Sequence, residues 1–248
     1  MDDKEEIHTM AVNFFSSLFQ GYHAANGEIR DTPFSPSFER LYFFLEGLGT
    51  LSEIEADSMI EEISLEEVED FVKNTSNNKS PGLDGLNYEF YKSQLPLLGL
   101  ILVNVLNFQL SHLSLLPSNL IGATRLVSKV ADNEVPLVSE LRPITLLNSD
   151  YKILTGVLSK RILKVLRSVI KSSQSSCVPG ANICSSAFNL VSLTQAVEQC
   201  NGQAAILSLD LYKAYDDVNL QYLEQVLLAM NFDPVFVSWI LLLSLKHH

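Results

Sequence analysis

Asp210 is the residue whose position most directly suggests chemistry. It ends the run Ala204–Leu209, which is apolar at nearly every position and so reads as a short strand buried on both faces. A carboxylate at the carboxyl end of such a strand projects into the crevice at the sheet edge. A buried strand end is also a costly place for an unpaired charge. Asp216 and Asp217 follow a few residues on. Three carboxylates this close can ligate Mg²⁺, a hard cation that takes oxygen ligands. The plainer reading makes Asp216 or Asp217 the cap of the next helix, and for those two it is preferred.

A second group of candidates is cationic. Arg142 precedes Pro143, which forces extended geometry on it. A guanidinium fixed on a hairpin arm can fork onto a phosphate, and Lys129 on the facing arm adds a point charge. Taken singly, each is an ordinary surface cation. The segment Lys152–Lys171 carries Lys152, Lys160, Arg161, Lys164, Arg167 and Lys171 with no acid. Such a stripe attracts phosphates, although an isolated one is more often a solvated helix face. Ser80-Pro81-Gly82-Leu83-Asp84-Gly85 resembles a phosphate-cradling loop but lacks the Lys-Ser/Thr ending of a Walker loop, and alone it is a turn. The five histidines show no metal-ligand spacing. Cys177, Cys184 and Cys200 form no C-x-x-C pair and read as small core residues in a reducing compartment.

The elements that must carry these groups follow from periodicity and punctuation. Ile7, Met10, Ala11, Phe14, Phe15, Leu18 and Phe19 recur at helical spacing, with Gly21 just beyond. Phe38–Leu45 is a second apolar, helical piece. Ser52-x-x-Glu55 and Ser64-x-x-Glu67 each fit a capping box. The Asn/Ser/Gly/Pro-rich stretch Asn74–Gly85 cannot be helix or central strand. Helices are expected at Tyr88–Ser93 and Leu97–Ser111. Ala123–Val130 and Arg142–Leu147 form an antiparallel pair, with Pro143 restricting the second to an edge. A long helix covers Tyr151–Ile170, its apolar residues on one side and its basic residues mostly on the other. Further helices cover Ser185–Glu198, Leu220–Met230 and Pro234–Leu245.

The 248 residues are 47% hydrophobic and 19% charged, the composition of a globular chain. The net charge of −12 excludes an obviously basic nucleic-acid-binding protein on totals. The acidity is local, however. Residues 1–78 hold 4 Lys/Arg and 17 Asp/Glu, while residues 79–248 hold 13 and 12. The N-terminus is acidic and unlike a signal peptide. The apolar stretches Leu95–Leu106 and Val235–Leu245 fall short of the roughly 20 residues of a membrane span and read as buried helices.

In order, these pieces resemble the non-LTR (LINE-type) retrotransposon reverse transcriptases. Asn78–Gly85 followed by Tyr88–Lys92 is similar to the opening motif of that family, and Thr124–Lys129 to its next strand. Leu141–Leu147, Asp150–Leu154 and Leu158–Arg161 resemble the Arg-Pro-Ile block and the basic helix after it. Gln174–Gly180 resembles the Gln…Val-Pro-Gly segment, and Leu209–Asp216 the first catalytic aspartate motif. The likeness covers roughly residues 60–248, and Asp57–Asn78 fits the helix found just upstream. Ser176-Cys177 stands where the family usually has Gly-Phe, and Ala181 where an Arg usually follows Pro-Gly.

The resemblance implies an α+β fold: the fingers and partial palm of a right-handed polymerase, mostly helical with a few short antiparallel strands. It implies three regions: an acidic helical extension at 1–78, a fingers-like region at 79–203 and the start of the palm at 204–248. The implied activity is RNA-directed DNA synthesis, a phosphoryl transfer using two metal ions, Mg²⁺ by family expectation. On that resemblance Asp210 is a metal ligand, assisted by the carbonyl of Leu211. Lys129 and Arg142 grip the triphosphate, and Tyr215 abuts the sugar and disfavours ribonucleotides. Lys152, Lys160, Arg161, Lys164 and Arg167 line template or primer phosphates. The implied partners are RNA template, DNA primer and deoxynucleotide triphosphates, with no membrane, in an intracellular setting that is nuclear or cytoplasmic. The family's Asp-Asp box does not occur within these residues, so the expectation is that they do not polymerise alone. Two other readings compete with this one: a non-catalytic RNA-binding module, and an acidic helical interaction domain centred on residues 1–78.

Overall fold

The computed structural model describes residues 4–19, 45–129, 137–211, 214–215 and 218–244. The helix expected at Phe38–Leu45 and the residues Asp216 and Asp217 therefore lie outside the described residues, Leu45 excepted.

Helix α1 spans Lys4–Phe19. The two capping boxes form as the sequence predicts. Ser52 opens α2 (Glu53–Met59): its hydroxyl accepts from the Glu55 N–H at 3.3 Å, and the Glu55 carboxylate accepts from the Ser52 N–H at 2.9 Å. Ser64 and Glu67 repeat the exchange at 3.2 and 3.1 Å at the head of α3 (Leu65–Lys73). Each box satisfies two donors that a helix start otherwise leaves free.

The two helices expected at 88–93 and 97–111 are one helix, α4, running Tyr88–Ser111 with Pro96 inside it. Pro96 removes one ladder hydrogen bond. Leu95 on one side of it and Gly99, Val103, Leu106 and Leu110 on the other are all buried in the core, which holds the helix together through the proline. The fused helix is 24 residues long with a mean hydropathy of 1.4 over its most apolar window, long and apolar enough by composition to cross a membrane. Its inner face is core, while Leu97, Leu100, Ile101 and Phe108 on its outer face are exposed. On length and composition alone this is weak evidence of a span.

Strands β1 (Ala123–Ser128) and β2 (Leu141–Leu146) form a two-stranded antiparallel sheet. Then come α5 (Ser149–Val169), α6 (Ile183–Gln199), α7 (Leu220–Ala229) and α8 (Pro234–Leu243). The described residues are thus mostly helical with one small antiparallel sheet, an α+β arrangement. Helix α7 is capped by Asn219, whose side chain accepts from the Tyr222 N–H at 2.8 Å. The cap expected from Asp216 or Asp217 is therefore supplied by a residue nearer the helix start.

One cluster of buried side chains runs from Leu51 through α3, α4 and α5 to Trp239. The loop 74–87, where composition shifts, has no buried residue, and the elements before and after it contribute to the same buried cluster. Polar ties close the unit. The Trp239 indole N–H donates to the Leu110 carbonyl at 3.2 Å, and the Tyr151 hydroxyl donates to the Leu243 carbonyl at 2.8 Å. The Asn107 amide pairs with both backbone groups of Ile63, at 2.8 and 3.0 Å.

The strand expected at Ala204–Leu209 is absent. Residues 203–211 carry no ladder and every one of them is exposed, Leu209 by 80%. A strand needs a neighbour for its backbone groups and cover for its faces. No other strand among the described residues lies beside this run.

Candidate functional site

The hairpin is built for an extended Arg142. Its register pairs Ala123 with Leu146, Arg125 with Ile144, Leu126 with Pro143, Val127 with Arg142 and Ser128 with Leu141. The Lys129 N–H donates to the Glu140 carbonyl at 3.1 Å and carries the pairing one residue further. The Glu140 carboxylate turns back to accept from the Leu137 N–H at 2.8 Å and fixes the start of β2. Pro143 is tolerated because a two-stranded sheet has only edges. Lys129 and Arg142 are both exposed, and neither makes a side-chain hydrogen bond or ion pair among the described residues.

The basic stripe on α5 divides. Arg161 is 5% exposed and points into the core side of the helix. Its Nε and Nη2 fork onto the Glu67 carboxylate at 2.8 and 2.7 Å. Nη1 donates to the carbonyls of Met59 and Glu61 at 3.0 and 2.6 Å, and Nη2 also to that of Glu62 at 3.1 Å. All five N–H donors of the guanidinium are thereby committed, so the expected phosphate contact has no donor left. Lys160 sits at 2.7 Å from Asp70, above the Phe71 ring. Arg167 donates to the Pro179 carbonyl at 2.5 Å. Lys152 is half-buried, and burial lowers its pKa while the Asp84 charge opposes that. Lys164 stays exposed, and its charge helps to lower the pKa values of Glu67 and Asp70. Two of the six stripe cations, Lys160 and Arg161, thus clamp α5 to the acidic α3.

The Ser80–Gly85 turn is held from the start of α5. The Asn148 side chain accepts from the Asp84 N–H at 3.4 Å and donates to the Ser118 carbonyl at 3.1 Å, and the Ser149 hydroxyl donates to the Leu86 carbonyl at 2.7 Å. Gly82 packs so tightly on Asn148 that a Cβ there would overlap its backbone. Burial, aided by the Asp84 charge, pushes the Asp150 carboxyl up despite its hydrogen bond from the Tyr151 N–H.

Glu67 shifts the other way. Burial pushes its carboxyl up, but hydrogen bonds from Arg161 and the Ser64 N–H and the charges of Arg161 and Lys164 outweigh it, so its pKa is lowered. A lowered carboxyl stabilises the fold above its ordinary value, and that contribution disappears as pH falls through the lowered one. Urea midpoints measured against pH should therefore drop below the ordinary carboxylate range, and Glu67→Gln should flatten that acid limb. An unchanged limb would remove Glu67 from the account.

Asp210 is exposed and makes no ion pair with Lys129 or Arg142. Leu211 and Tyr215 are exposed too, Tyr215 by 92%. Among the described residues no three acidic, histidine or cysteine side chains gather as a metal site. A single carboxylate suits a hard cation as one oxygen ligand and does not complete its shell.

Residues 130–247 match the family described as reverse transcriptase (RNA-dependent DNA polymerase). These residues belong to the reverse transcriptase family. Over 241 residues, 97% of the chain, the sequence is also 33% identical to the Transposon TX1 uncharacterized 149 kDa protein of Xenopus laevis. The chain spans 17% of that relative's length. Together the two matches support the non-LTR retrotransposon type of reverse transcriptase that the motifs resemble. The reverse transcriptase region takes in β2, α5, α6, α7 and α8, with Arg142 and Asp210 among its residues. Lys129, the Ser80–Gly85 turn and the acidic α2–α3 pair precede it and are covered by the transposon relative.

Two contributors have roles that their local sequence does not announce. The sequence marks Glu67 only as a cap, yet it also holds Arg161. Arg161 itself falls on the Leu154, Leu158, Val165 spacing of the buried face, a signal that places it inside rather than out.

Proposed function

We propose that this chain is the fingers and first palm portion of a non-LTR retrotransposon reverse transcriptase, and that it holds an RNA template, a DNA primer and a deoxynucleotide triphosphate. Lys129 and Arg142 grip the triphosphate: they are exposed, have no side-chain partner among the described residues and are carried on adjacent arms of one two-stranded sheet. Asp210, with the Leu211 carbonyl, supplies part of a site for a divalent ion, Mg²⁺ on this reading. That ion offsets charge on the phosphates when bound. The Tyr215 ring lies against the sugar. Lys164 and Lys152 remain the α5 residues suited to strand phosphates, because Lys160, Arg161 and Arg167 have protein partners.

The observation that carries the reading is the pair of exposed cations on this hairpin, neither of which has a side-chain hydrogen bond or ion pair among the described residues, in a sequence that matches the reverse transcriptase family. The test is deoxynucleotide binding by the purified 248-residue chain, followed by fluorescence of a labelled dATP. Lys129→Gln and Arg142→Gln should each weaken binding several-fold at unchanged thermal midpoint. Equal affinity in both variants and the parent chain would reject the assignment.

A further inference from the structure

The hairpin register places a third cation beside Lys129 and Arg142. Side chains alternate across a strand, so residues directly paired lie on the same face. With Val127 opposite Arg142 and Arg125 opposite Ile144, the residues Arg125, Val127 and Lys129 share a face with Arg142 and Ile144. The other face carries Leu126, Leu141 and Pro143, all half-buried, and the Thr124–Thr145 hydroxyl pair at 2.8 Å. One side of the sheet is thus neutral and the other holds every cation of the two strands.

These cations form a row. Arg142 lies diagonally between Arg125 and Lys129, which are four residues apart on one strand, about 13 Å. Arg125 is exposed and, like the other two, makes no side-chain hydrogen bond or ion pair among the described residues. Val127, Ile144 and Leu146 expose aliphatic surface between and beside the charges. A row of this length exceeds the span of one triphosphate and suits successive phosphates of an extended strand. Exposed aliphatic side chains next to it suit sugars and bases better than water.

We propose that Arg125 binds a phosphate of a single nucleic-acid strand lying along the hairpin, beyond the nucleotide held by Lys129 and Arg142. The inference rests on reading this hairpin as the phosphate-holding element. Arg125 positions the strand and takes no part in bond making.

The experiment compares two probes on the full chain: oligouridylate RNA over a salt series, and labelled dATP. Arg125→Gln should weaken RNA binding and make the dependence of log affinity on log salt shallower by about 0.7, one single-strand phosphate contact. Its dATP affinity should be unchanged, and Arg125→Lys should restore the slope. An unchanged salt slope in Arg125→Gln, or a dATP affinity that falls in step with RNA affinity, overturns the proposal. Should Lys129→Gln and Arg142→Gln leave dATP binding intact while Arg125→Gln still flattens the slope, the nucleotide reading fails and the strand contact stands. Far-ultraviolet circular dichroism and thermal midpoints of each variant exclude unfolding as the cause.

Discussion

Replacing Arg161 with alanine should destabilise the fold by about 3–5 kcal/mol, the range for removing one partner of a buried ion pair. The loss has two sources. The Glu67 carboxylate, part-buried between α3 and α5, is left without its counter-charge, and the carbonyls of Met59, Glu61 and Glu62 lose their donors. Lysine at this position keeps the charge but cannot fork onto a carboxylate and reach three carbonyls together. Arg161→Lys should therefore recover only part of the stability. The double variant Arg161→Met with Glu67→Gln should lose less than Arg161→Ala, because no uncompensated charge remains. Urea unfolding at neutral pH measures all three. A loss under about 1 kcal/mol for Arg161→Ala would put the pair in the class of exposed bridges instead.

Phe236→Ala should cost a similar amount, about 3–5 kcal/mol for a fully buried phenylalanine. Phe236 is 0% exposed, stacked on Phe232 at 5.8 Å between ring centres and set edge-on to Trp239 at 6.0 Å. Truncation leaves a void inside a three-ring cluster. It also loosens the face of α8 whose Trp239 bonds the Leu110 carbonyl. Phe236→Leu refills most of the space and should lose clearly less. Trp239 fluorescence gives a second readout, since the indole reports whether α8 stays docked. If the alanine variant unfolds at the parent urea midpoint, the last helix adds little to the core.

Much of this architecture is legible in local sequence because local physics decides it. Both capping boxes are four-residue patterns whose hydrogen bonds close within one turn, and both form. The hairpin follows from two β-branched runs with a proline that only an edge admits. Long-range facts are less legible. Pro96 suggests a break, and only the burial of Leu95 and Val103 on the same core shows why none occurs. The cationic count along α5 suggested a nucleic-acid face. The side-chain period, followed through Arg161, turns that residue inward, and the acidic partner sits 94 positions away. An apolar run such as Ala204–Leu209 states what a strand can be made from, while the neighbour that would pair with it is decided elsewhere. The family match spans residues 130 to 247, a range that includes Asp210, while residues 203–211 form no sheet among the described residues.

The arrangement at Ile206–Leu209 also bears on how the molecule behaves in concentrated solution. Three large aliphatic side chains in four positions, without proline or charge until Asp210, present open peptide groups to any chain that drifts past. Copies meeting there can stack in register as cross-β ribbons. The acidic excess of −12 opposes that encounter through mutual repulsion, so low ionic strength keeps copies apart and added salt removes the protection.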